Sequence, residues 1–208
     1  MPNSLQTIAF LPGASGRGDF WEPVGRCLTG YEQIYFDWPG FGDVPAEPYV
    51  HSYVDLSSIV IERLQHKTVP SIVVAQSMGG VVAVDVATRR PDLVSHLVLG
   101  ATSGGIDVAA LGAIDWRPGS RSAHPTNPSW MWDEPPDQSV SLTNLKVPTL
   151  LVWASDDSIS PHAVGLRLAE LIPDSRLLVF AGDDHWVARI NAEAVACEID
   201  RLARSPRR

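Results

Sequence analysis

The chain has 208 residues, of which 45% are hydrophobic and 19% charged, and its formal net charge is −8. That length and balance describe about one domain, with a core that buries roughly 70% of the unfolded chain's surface. The acidic charge excludes a general nucleic-acid or anionic-membrane partner. Two cysteines, Cys27 and Cys197, are too few for a disulfide framework and are expected to be reduced, buried thiols.

The chain starts MPNSLQTIAFLPG, which lacks the basic start and long apolar core of a secretory signal. No apolar run approaches the length of a membrane span, so the expected location is cytoplasmic. Six short apolar runs follow in order: TIAFL (7–11), QIYF (33–36), SIVVA (71–75), HLVLG (96–100), TLLVW (149–153) and RLLVF (176–180). Each is expected to be a buried parallel strand. Helices are expected at 20–28, 52–66, 81–90, 162–171 and 187–202. The second of these shows apolar positions at helical spacing: Val54, Ile59, Ile61 and Leu64. This alternation predicts a three-layer α/β/α sandwich with a mostly or all-parallel sheet of about six strands.

One connection breaks the alternation. Residues 101–137 carry Gly and Pro punctuation, but also Ile106, Leu111, Ile114, Trp116, Trp130, Met131 and Trp132. So aromatic a segment folds onto the body rather than staying free. A short helical piece is expected near 108–113. The basic C-terminal RLARSPRR reads as a solvated tail. The Gly-rich LPGASGRG has neither a dinucleotide fingerprint nor the Lys-Ser/Thr of a phosphate loop. His51, His66, His96, His124 and His162 have no partner at metal-ligand spacing. The sequence therefore implies neither metal nor cofactor.

The pentapeptide AQSMG, residues 75–79, closes the third strand and opens a helix. A serine between small residues at such a corner forms a nucleophile elbow, which lifts its hydroxyl clear of the sheet and onto a helix N-terminus. Side chains two before and two after the serine are expected to crowd there, hence Ala75 and Gly79. A serine needs a base to take its proton, and that base needs an orienting group. The fifth strand ends in Asp156 and Asp157, and the sixth is followed by His185. All three groups fall just past the C-terminal ends of strands, the edge where open α/β sheets build their sites. Trp21, after the first Gly-rich loop, and Trp186, after His185, are placed to line a pocket.

FLPGASGRGDFW, DWPGFGDVP, AQSMGG, WASDDSISP and AGDDHW, in this order over nearly the whole chain, resemble the α/β-hydrolase fold superfamily, in particular its small serine hydrolases and carboxylesterases. The resemblance implies Ser77 as nucleophile, His185 as base and Asp157, three after the small Ala154, as the acid in preference to Asp156. It implies an oxyanion hole from the backbone N–H groups of Ala14 and Met78. Pro12 stands where the family has a His, and Ala75 where it has a Gly. The family's two additional N-terminal strands look absent. Residues 101–137 occupy the place of the family's lid, which makes Trp116, Trp130 and Trp132 candidate substrate walls. The expected activity is hydrolysis of small to medium carboxylic esters. A thioesterase, a C–C bond hydrolase or, in another class, a non-catalytic small-molecule receptor on the same fold are the alternatives.

Overall fold

The computed structural model describes residues 5–205. The first residues of the N-terminal segment and the end of the basic tail, 1–4 and 206–208, lie outside them. The chain runs β1 (Thr7–Leu11), a 3-10 turn (Gly18–Trp21), α1 (Glu22–Gly25), β2 (Glu32–Tyr35), α2 (Tyr53–Leu64), β3 (Ser71–Gln76), α3 (Met78–Arg89) and β4 (Val94–Gly100). The insertion follows, with a 3-10 turn (Ala109–Leu111), α4 (Arg117–Ala123) and a second 3-10 turn (Ser129–Trp132), and α5 (Ser139–Thr143) comes after it. The chain then continues through β5 (Thr149–Ala154), α6 (His162–Leu171), β6 (Ser175–Phe180), α7 (Val187–Ile190) and α8 (Ala192–Ala203).

The six strands form one sheet in the order β2-β1-β3-β4-β5-β6, and every pairing is parallel. The period-2 alternation of a strand divides its side chains between two cores. Ala9 and Leu11 of β1, Val73 and Ala75 of β3, Leu97 and Leu99 of β4, and Leu151 and Trp153 of β5 face one core, with α2, α3 and α6. Ile8, Phe10, Ile72, Val74, Val98, Leu150 and Val152 face the other, with α1, α7 and α8. Both faces are covered, so the strands read as continuous apolar runs. The open, all-parallel three-layer sandwich expected from the sequence is the observed fold.

Four expectations need correction. First, the edge strands β2 and β6 are only partly buried, because each has a neighbour on one side alone. Second, α2 turns a different face inward: Tyr53, Leu56, Ser57, Val60 and Leu64 are buried, whereas Val54 is 44% exposed. Ser57 enters the core by donating its hydroxyl to the Tyr53 carbonyl, so a polar residue occupies a core register that an apolar count misses. Third, both cysteines are exposed. Val195, Ala196 and Ile199 are the core-facing residues of α8, and Cys197 falls on its solvent side. Fourth, the insertion is more helical than expected, with α4 and a second 3-10 turn beyond the piece near 108–113. No helix among the described residues is long and apolar enough to cross a membrane.

Candidate active site

Four loops at the C-terminal edge of the sheet converge. Ser77 joins β3 to α3 at φ 52°, ψ −124°, a region that a side-chain-bearing residue enters at a cost of roughly 1–3 kcal/mol. The surroundings hold it there: the Ser77 N–H donates to the Gly100 carbonyl at 2.9 Å, and the Gly80 N–H donates to the Ser77 carbonyl at 2.9 Å. Gly79 relieves crowding against the end of β1 and the loop that follows it. A Cβ at Gly79 would sit 2.3 Å from the Pro12 carbonyl oxygen and 3.0 Å from that of Leu11. At Gly80 it would meet the Thr102 side chain at 2.4 Å. The glycines thus let the start of α3 pack against the loops after β1 and β4.

The Ser77 hydroxyl lies 3.0 Å from His185 Nε2, and His185 Nδ1 lies 2.7 Å from Asp157 Oδ2. With Nδ1–H donating to the carboxylate, Nε2 is left as acceptor for the serine O–H, the tautomer a general base requires. The Asp157 side chain is 1% exposed, and such a charge needs partners. Its Oδ1 accepts from the Ile159 N–H at 2.8 Å and the Ser160 N–H at 3.1 Å, so three donors surround it. Asp156 points away: it accepts from the exposed Ser155 hydroxyl at 2.6 Å. The structure therefore brings Ser77, His185 and Asp157 together and leaves Asp156 outside.

Met78 follows the serine as the first residue of α3, and Ala14 lies on the loop after β1 beside Gly13, where a Cβ would come within 3.1 Å of the Ser77 Cβ. Among the described residues no carbonyl of a loop or turn accepts from either backbone N–H, and Met78 opens the 12-residue helix α3. Two unspent donors, one of them at a helix N-terminus, suit a developing oxyanion.

A cavity of about 600 Å³ opens over Ser77 and His185. Its apolar wall comes from Val81, Ile106, Ile114, Trp116 and Ile159. Its rim carries Asp107, Asp115, Glu134 and Asp137 beside Arg117. Arg117 bonds Glu134 at 2.7 Å and Asp115 at 3.3 Å. Hydrogen bonds from the Ser139 hydroxyl and N–H hold the Asp137 carboxyl below its usual range. Tyr53 also lines the cavity, and burial pushes its phenol up to about 12. Tyr53 and Arg117 went unnoticed in the sequence. Tyr53 sits in a helix expected only to pack, and nothing local distinguishes Arg117 from a surface arginine.

Of the five tryptophans proposed to contact substrate, Trp116 lines the cavity, and the other four are not part of its wall. Trp21 is 0% exposed; it packs on Phe10 and Phe20 beneath the sheet edge. Trp186 is 56% exposed and meets Phe20 edge-on, ring centroids 6.3 Å apart. Trp130 is wedged edge-on against Phe41 and Tyr53, at 5.8 and 5.5 Å. Trp132 supports Trp116 from behind, at 6.1 Å. Large amphipathic rings suit a core as well as a pocket, and adjacency to a motif does not fix which way they turn. Among the described residues no group of three or more His, Cys, Asp or Glu is placed to hold a metal ion.

Known proteins agree with this frame. The 2-hydroxy-6-oxononadienedioate/2-hydroxy-6-oxononatrienedioate hydrolase of Paraburkholderia phymatum is 26% identical over 230 residues, spanning 88% of this chain and 80% of that protein. A thermophilic esterase from Thermogutta terrifontis superposes with a TM-score of 0.79 at 21% identity, covering 97% of this chain and 90% of the other. A meta-cleavage product hydrolase from Pseudomonas fluorescens IP01 gives 0.75 at 20% identity, covering 96% and 91%. At such identities the two solved structures speak for the fold alone. The model of the alpha/beta hydrolase family matches residues 8–197, and the chain belongs to that family.

Proposed function

We propose that this protein hydrolyses small to medium carboxylic esters through an acyl-enzyme on Ser77. The observation that carries the reading is the pair of contacts from His185, 3.0 Å to the Ser77 hydroxyl and 2.7 Å to the Asp157 carboxylate. Ser77 Oγ attacks the acyl carbon while its proton passes to His185 Nε2. The buried Asp157 carboxylate stabilises the imidazolium and holds the ring's orientation. The N–H groups of Met78 and Ala14 receive the oxyanion; one such donor is worth roughly 10²–10³ in turnover. The tetrahedral intermediate collapses, the leaving alcohol takes the proton from His185, and the acyl group stays on Ser77. A water molecule, deprotonated by the same imidazole, then releases the acid and restores the serine.

A second reading, hydrolysis of a C–C bond next to a ketone, is favoured by the name of the Paraburkholderia relative. The relative's named substrate carries two carboxylates. Here the cavity rim presents four carboxylates against one guanidinium, which is itself paired with two of them. Like charges disfavour a dianion in such a site, and an uncharged ester meets no such repulsion.

The test uses p-nitrophenyl acetate, butyrate and octanoate with wild type and Ser77→Ala, together with a fluorophosphonate probe and peptide mapping. Ester turnover that vanishes in the variant, with a single adduct on Ser77, is the expected result. An adduct elsewhere, or none on folded protein, refutes the nucleophile. Tight ligand binding without turnover assigns the protein to the receptor class instead.

A further inference from the structure

The loop that carries Ala14 has one turn of its own, in which the Gly16 N–H donates to the Gly13 carbonyl at 3.1 Å. Its first residue after β1 is Pro12, which has no N–H to donate. The rest of the loop's rigidity must come through its carbonyls and through whatever lies beneath it.

Two buried indoles supply that support. Trp21 Nε1–H donates to the Leu11 carbonyl at 2.9 Å, and Trp38 Nε1–H donates to the Pro12 carbonyl at 3.0 Å. Both rings are 0% exposed, so neither donor has water as an alternative, and an unpaired indole N–H there is costly. The two carbonyls are adjacent in the chain, and they are the same two that crowd Gly79 on α3. Trp38 also reaches the far side of the loop, where its backbone N–H donates to the Gly16 carbonyl at 2.7 Å. The loop is thus gripped from β1 to Gly16, against the helix turn that presents the Met78 N–H.

We propose that Trp21 and Trp38 are positioning residues that clamp the Leu11 and Pro12 carbonyls and so set the Ala14 donor at a fixed distance from the Met78 donor across the Ser77 hydroxyl. The inference rests on the acyl-transfer reading for its catalytic consequence. The clamp itself rests on the hydrogen bonds. Neither indole touches substrate, since neither lines the cavity. Their effect is on the transition state: an oxyanion hole acts through preorganised donors, and a loosened loop must reorganise as charge develops.

The experiment compares wild type with Trp21→Phe and Trp38→Phe, each of which keeps an aromatic ring and removes the N–H. A whole oxyanion donor is worth roughly 10²–10³ in turnover, so a donor kept but loosened should lower kcat by about 10- to 50-fold. KM should stay within about two-fold, because ground-state binding does not use the hole. An alkyl boronic acid, which forms a tetrahedral adduct on serine, should lose affinity by the same factor as kcat/KM. The product carboxylic acid should bind as before. Unchanged kcat and boronate affinity in a folded variant would overturn the clamp. So would a parallel loss of boronate and product affinity, which marks general disorder. The variants are read separately, so one that fails to fold leaves the other to decide. If wild type turns over no ester, that result sinks the hydrolase reading alone. Amide exchange across residues 13–16 then decides the clamp: faster exchange in the variants supports it, and unchanged exchange overturns it.

Discussion

Replacing Asp157 by Asn keeps the shape of the side chain and changes one acceptor into a donor. The site leaves no room for that change. Oδ1 accepts from two backbone N–H groups, those of Ile159 and Ser160, and Oδ2 accepts from His185 Nδ1. If the Asn carbonyl stays on the two backbone donors, its NH₂ faces Nδ1. The imidazole must then present a lone pair at Nδ1 and carry its proton on Nε2, where it can no longer accept the Ser77 proton. If the amide flips, its NH₂ faces two N–H groups in a buried pocket and three donors go unsatisfied, at about 1–3 kcal/mol for each buried group left unpaired. The first arrangement therefore wins, and it is folded but in the wrong tautomer. Loss of the orienting carboxylate in comparable triads lowers turnover by about 10⁴, which corresponds to about 5.5 kcal/mol of barrier. Asp156→Asn loses only a hydrogen bond from an exposed serine hydroxyl, so its effect should stay within about 0.5 kcal/mol. Steady-state hydrolysis of p-nitrophenyl butyrate by both variants, with circular dichroism to verify folding, measures the contrast. Equal losses, or a larger loss at Asp156, would refute the assignment of the acid.

Trp116→Ala opens the cavity wall and should cost about 1–2 kcal/mol of apolar contact, roughly a 5–30-fold fall in kcat/KM for octanoate esters and almost none for acetate. Trp130→Ala, which removes packing on Phe41 and Tyr53, should instead lower Tm and act evenly across chain lengths; the reverse pattern would place Trp130 at the substrate. The Tyr53 phenol is raised by burial from 10.0 to about 12, so the folded state holds that proton more tightly. The stability this contributes is complete below pH 10 and is lost as pH climbs toward 12. By pH 11 the loss is about 1.4 kcal/mol, and Tyr53→Phe should flatten that decline in urea unfolding; parallel curves for the two proteins would contradict it. EDTA should leave turnover unchanged, and activity lost to EDTA and restored by a divalent ion would show a metal requirement.

The layered fold was legible because its core strands are buried on both faces, and that condition writes itself into sequence as unbroken apolar runs such as SIVVA and TLLVW. Where burial is one-sided the signal weakens. β2 is observed at Glu32–Tyr35, one residue earlier than the apolar run suggests, since an edge strand is defined by its pairing to β1 and not by its own hydrophobicity. The register of α2 escaped for a related reason: Tyr53 and Ser57 are buried, one an amphipathic ring and the other a hydroxyl that satisfies itself on the preceding turn. The geometry unites Ser77, Asp157 and His185, the residues that strand-end positions and the family resemblance singled out; their chain order belongs to the fold, since the same triad occurs in other orders elsewhere. Of the cavity's lining, Trp116 was anticipated. Ile114 and Arg117 of the insertion line it together with Tyr53 of α2 and Val81 of α3, a juxtaposition that carries no periodic trace in the sequence.

The tryptophans show the limit most clearly. Trp21, Trp38 and Trp153 are among the largest fully buried side chains, and all three spend their indole N–H on a carbonyl at the end of a strand or in a loop at the active edge of the sheet. Trp153 donates to the Ser160 carbonyl at 3.0 Å, in the turn whose N–H groups hold Asp157. A parallel sheet fixes the ends of its strands well, but the loops beyond them have no ladder to join. An indole anchored in the core can cross that gap, because its apolar body packs under the loop while its one donor fixes a carbonyl in place. From sequence Trp21 invites a reading as a substrate contact, since it follows the first Gly-rich loop. In space the indole donors of all three rings meet backbone carbonyls beside the candidate site, so these rings support it from beneath, and Trp116 is the tryptophan that lines the cavity.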